Sequence, residues 1–62
     1  MTDVWNVTEA EYREALELSR DGNISPEHSA AYWQLCRYYR GQIFHRDEAA
    51  LAVRLIRHRE PA

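Results

Sequence analysis

Start and stop signals divide this chain into three helical segments and leave little over for any other kind of structure. Thr8-Glu9-Ala10-Glu11 reads as a capping box. In it the Thr8 hydroxyl accepts from the Glu11 backbone NH, and the Glu11 carboxylate accepts from the Thr8 backbone NH. Val7 and Tyr12 have the spacing of a hydrophobic staple around that cap. Gly22, in Asp21-Gly22-Asn23, offers a left-handed residue to end the helix, which is expected over about residues 9–20. Ser25 is placed as the next N-cap, with Pro26 at the first helical position where its missing NH costs nothing. Gly41 after Tyr39-Arg40 closes this second helix, expected over about 26–40. The third starts near Arg46 or Asp47 and spans about 47–59, with Asp47 and Glu48 at its positive pole, arginines at its negative pole, and Pro61 forbidding continuation.

No segment alternates with the period of a half-buried strand. Three helices with short connections make a small all-α three-helix bundle in one domain of residues 1–62, with residues 1–7 as an N-terminal arm. At 62 residues the chain buries only about 60% of the surface its unfolded form exposes, so its own stability is expected to be marginal. That size excludes dinucleotide-binding folds and any large internal cavity.

The apolar periodicity assigns faces. In the first helix Tyr12, Ala15, Leu16 and Ser19 share one side with Leu18 at its margin, opposite Glu9, Arg13, Glu17 and Arg20. In the third, Leu51, Ala52, Leu55 and Ile56 point inward, with Ala49 and Val53 at an edge. The expected core is Tyr12, Leu16, Tyr32, Leu35, Tyr39, Leu51, Leu55 and Ile56.

The second helix carries more aromatic surface than two neighbours can hide. Between Ala30 and Tyr39 only Gln34 and Arg37 are polar. Tyr32, Leu35, Cys36 and Tyr39 point one way, while Trp33, Arg37 and Arg40 follow one another along a flank and Tyr38 lies near the polar line. Either Trp33 folds onto the linker residues Ile43 and Phe44 and completes the core, or part of Trp33 and Tyr38 stays exposed. An exposed Trp/Tyr/Arg patch is the composition in which binding hot spots concentrate.

Charge is unevenly divided. Residues 1–31 hold seven acids and two arginines, whereas residues 32–62 hold six arginines and three acids, and there is no lysine. The halves either complement each other inside the bundle or leave the arginines as a basic surface for an acidic partner or nucleic acid.

Motifs with specific chemistry are weak here. Gly22 aligned as the invariant glycine of a calcium-binding EF-hand loop puts His28 where a bidentate Glu belongs, and Pro26 starts a helix inside the loop. His28, His45, His58 and Cys36 lack zinc-site spacing, and Cys36 on an apolar face reads as a small buried hydrophobe. Two glycines make no phosphate loop, and neither Ser25 nor Ser29 beside His28 has the third group a nucleophile needs. No catalytic residue, metal or cofactor is therefore expected. No apolar run approaches the roughly 20 residues that span a bilayer, and the first residues lack a secretory signal. With a single cysteine, the chain is expected to be cytoplasmic.

These features point to a non-catalytic protein–protein interaction module that docks on a larger protein or pairs with a second copy through the second helix. Its style is that of small bacterial or phage accessory proteins that regulate or inhibit an enzyme. The expected contact residues are Trp33, Arg37, Tyr38 and Arg40, with Arg54 and Arg57 as a basic rim. The alternative is a helix-turn-helix-like DNA-binding regulator using the third helix. Against it stand a Gly41–His45 connection longer than the usual turn, an acidic Asp47-Glu48 start to the reading helix, and a pI of about 5.8.

Overall fold

A computed structural model describes residues 4–59; the side chain of Arg59 and the stop assigned to Pro61 lie outside the described residues. The chain is a three-helix bundle: α1 (Glu9–Leu18), α2 (Pro26–Tyr39) and α3 (Arg46–Arg59), with no strand among the described residues. The middle helix, α2, organises the molecule. α3 packs along it, α1 packs on another of its sides, and α1 and α3 meet less extensively.

The caps explain the boundaries. At α1 the Thr8 hydroxyl accepts from Glu11 N at 3.2 Å, and Glu11 Oε1 accepts from Thr8 N at 3.0 Å. At α2 the Ser25 hydroxyl accepts from His28 N at 3.3 Å with Pro26 opening the helix. α2 ends on Gly41, whose φ of +78° only glycine adopts without strain. Gln42 N donates to Arg37 O and Gly41 N to Tyr38 O, the paired bonds of a Schellman ending.

The end of α1 differs from expectation. The helix stops at Leu18 rather than Arg20, and Gly22 does not adopt a positive φ. Instead the chain unwinds through tighter turns, with Arg20 N donating to Glu17 O and Asp21 N to Leu18 O. Asp21 Oδ1 then accepts from Asn23 N at 2.9 Å, so a side chain closes the turn and no left-handed residue is required. Helix α2 ends one residue before the expected Arg40, and α3 begins at Arg46, one of its two expected starts.

The core comprises Ala15 and Leu18 of α1, Ala31, Tyr32, Leu35 and Cys36 of α2, and Ala52, Val53 and Ile56 of α3, with Ala49 also fully buried. Three expected assignments change. Leu18 is buried rather than marginal. The inner face of α3 is rotated toward Ala49 and Val53, while Leu51 and Leu55 are half-buried against the cluster. Ala49 and Ala52 are fully buried, and the larger Leu51 and Leu55 pack against the cluster from its edge. Tyr39, expected in the core, is 41% exposed. The contacts Ser29 Oγ to Ser19 O and Tyr12 on Tyr39 make α1 and α2 antiparallel, which puts Tyr39 at the bundle end where the Tyr12 ring covers one of its faces.

The segment before α1 is fastened to the bundle. Val4 and Val7 pack on the core, and Trp5 lies edge-on to Tyr38 at 5.0 Å and 5.9 Å from Phe44. The Tyr38 hydroxyl donates to Trp5 O at 2.7 Å, and the Arg46 guanidinium sits 4.9 Å from the Trp5 ring centre.

Candidate functional site

The α2 sequence places Trp33, Arg37 and Arg40 on one flank at i, i+4 and i+7, where Trp33 and Arg40 are exposed and Arg37 is half-buried. Trp33 is 40% exposed there. Arg40 is the hub of what surrounds it. Its Nε donates to the Tyr12 hydroxyl at 2.9 Å, and its guanidinium carbon lies 5.5 Å from the Tyr12 ring centre and 5.7 Å from that of Trp33. Tyr12 in turn stacks on Tyr39, with ring centres 4.5 Å apart and planes 12° from parallel. Trp33, Arg40, Tyr12 and Tyr39 thus form one continuous cation–aromatic surface across α1 and α2. Such contacts contribute about 0.5–1 kcal/mol each at exposed sites.

The remaining expected contact residues go elsewhere. Arg37 turns toward the α2–α3 linker, donating Nε to Ile43 O at 2.7 Å, while Gln34 Oε1 accepts from His45 N at 2.9 Å. These two bonds fix a linker whose Ile43 side chain is 87% exposed. Tyr38 is half-buried on the opposite flank, in the cluster with Trp5 and Phe44. Packing of Trp33 onto Ile43 and Phe44 is not what the molecule uses; Trp5 fills the place beside Phe44 instead. Arg54 is exposed on α3. Arg57 points back into the molecule, with Nε 2.8 Å from Glu11 Oε2 and a further bond to Asn6 O at 3.0 Å.

Of the two tyrosines expected in the core, Tyr12 is half-buried against the core cluster while its ring also belongs to this surface, and Tyr39 is exposed. The only hint in the sequence was the excess of aromatic residues over what two neighbouring helices can bury.

Burial pushes the Cys36 thiol up, partly offset by Arg40 and Arg20, which is the opposite of an activated thiolate. The Arg57 hydrogen bond holds the Glu11 carboxyl below its ordinary value against the opposing effect of burial, with Thr8 NH assisting. Among the described residues, no three His, Cys, Asp or Glu side chains are grouped to hold a metal ion. No helix there is long and apolar enough to cross a membrane. Compared with known proteins, the chain matches no family model, no curated protein and no solved structure.

Proposed function

We propose that this protein is a non-catalytic interaction module, acting as a small regulator that docks on a larger protein through the outer face of α2. The observation that carries this is the Tyr12–Arg40–Trp33 arrangement with Tyr39 stacked beside it, left open on a chain small enough to need every apolar contact. Two aromatic rings hold one guanidinium, and Trp33 and Tyr39 on either side of it keep 40% and 41% of their surface exposed. Trp, Tyr and Arg are the residue types that dominate interface energetics. Holding them in place beforehand reduces the entropy lost on binding. Arg37 and the ordered linker extend the surface at one end. Arg57 is tied to Glu11, so the basic rim on α3 reduces to Arg54 among the described arginines assigned to it.

Site-specific photocrosslinking in cells tests this. A photoreactive aromatic residue replacing Tyr39 should yield one discrete crosslinked protein, lost when Trp33→Ala is added, whereas the same probe replacing Arg54 should not capture it. Equal crosslinking from positions 39 and 54, or persistence in Trp33→Ala with its helical circular dichroism intact, refutes the assignment.

A further inference from the structure

The two arginines of the open α2 face are held in the same way. Each has its Nε occupied by a neutral oxygen of its own chain, Ile43 O for Arg37 and the Tyr12 hydroxyl for Arg40. Neither forms an ion pair with a carboxylate among the described residues, unlike Arg13 with Glu9 and Arg57 with Glu11. A guanidinium anchored through Nε keeps its two terminal nitrogens as a fork, the geometry that takes a carboxylate on two parallel bonds. Arg37 and Arg40 lie one helical turn apart with Trp33 on the same flank. Beside them a cleft of about 390 Å³ opens between α2 and the linker, lined by Gln34, Arg37, Ile43, Phe44 and His45.

Charge selects among the occupants. A second copy meeting face to face would bring Arg37 and Arg40 against their own kind. A nucleic acid is a long polyanion, while this chain carries a net charge of −2 and its acids are concentrated in residues 1–31. A short acidic protein segment matches a local cationic strip on an acidic molecule.

We propose that the outer face of α2 receives an acidic segment of a partner protein, with Asp or Glu carboxylates on the forks of Arg37 and Arg40. A neighbouring large apolar side chain of that segment packs on Trp33 and in the Ile43–Phe44 cleft. This rests on the docking function above and gives its partner a chemistry.

The test is a random-peptide library selected on the immobilised full chain, followed by calorimetric titration of the enriched peptides. The enriched sequences should combine Asp or Glu with Leu, Phe or Trp, and should bind more weakly as salt rises. Arg40→Gln should weaken them about tenfold or more, the effect of losing a charge-assisted pair, with helical circular dichroism unchanged. Arg37→Lys, which keeps the charge but not the fork, should also weaken them. Enrichment of basic or uncharged peptides overturns the proposal, as does indifference of acidic ones to Arg40→Gln. If such uncharged peptides are lost in Trp33→Ala, the docking surface stands and its acidic partner falls. Binders indifferent to Trp33→Ala overturn both. A concentration-dependent dimer by light scattering that protects Trp33 also overturns it, because a second copy then fills the face.

Discussion

Replacing Arg57 by Met removes a charge and keeps the stem, and the structure sets the size of the effect. Arg57 Nε lies 2.8 Å from Glu11 Oε2, and the Arg57 and Glu11 side chains are 24% and 20% exposed. A fully exposed ion pair contributes about 0–1 kcal/mol, while stripping one partner from a fully buried pair costs about 3–5 kcal/mol. A pair a fifth to a quarter exposed belongs between these limits, and the lost bond to Asn6 O adds to it. The expected cost is therefore about 2 kcal/mol, or a fall in Tm of roughly 8–16 °C for a domain of this size. Arg13→Met is the control. Its pair with Glu9 is shorter, at 2.7 Å, but the side chains are 72% and 64% exposed, so the cost should be only about 0.3–0.5 kcal/mol. Solvent, not distance, decides the difference. The pH dependence has a definite sign. Glu11 titrates below its ordinary value of 4.5 when folded, so the pair's contribution is fully present above that value and is lost as pH falls through the lower folded value. Urea denaturation at neutral pH and again in acid should show the gap between wild type and Arg57→Met narrowing as Glu11 protonates, with the part due to the Asn6 O bond remaining. Equal costs for Arg57→Met and Arg13→Met at neutral pH, or a gap that does not narrow in acid, refute the reasoning.

The two glycines should respond in opposite ways. Gly41→Ala forces a side chain into a φ of +78° and should cost about 1–2 kcal/mol, whereas Gly22→Ala, with no positive φ and nothing within 4 Å of the added carbon, should be neutral or slightly stabilising by thermal denaturation. Cys36, fully buried with its thiol pushed up, should resist a thiol reagent at mildly alkaline pH and react at the rate of a free thiol once urea unfolds the chain. Fast labelling of the folded protein would contradict that burial.

The helices were legible because their ends are local chemistry. Thr8 with Glu11, Ser25 with Pro26, and Gly41 each act within a few residues of backbone, so identity and spacing suffice. Where two local solutions compete, the letters mislead: Asp21-Gly22-Asn23 suggested a left-handed glycine, but the Asp21 side chain closes the turn and Gly22 stays unstrained. The candidate surface was half legible. Trp33 and the C-cap residue Arg40 follow from helical spacing together with too many aromatics for two neighbours, whereas the exposure of Tyr39 does not. Arg37 lies on the same flank but spends one donor on the linker.

By itself, then, the amino-acid order determined three helices, their caps, and the excess of aromatic residues on the middle one. Tertiary structure alone decided which aromatics stay open, because periodicity gives a direction around a helix but not what stands in that direction. The antiparallel crossing of α1 on α2 carried Tyr39 out to the bundle end and set Tyr12 against it. Contacts across 33 and 46 residues of chain drew Tyr38 to Trp5 and Arg57 to Glu11, removing two expected surface residues. Such pairings join segments far apart in the chain, so they are a property of the assembled packing and of no single segment.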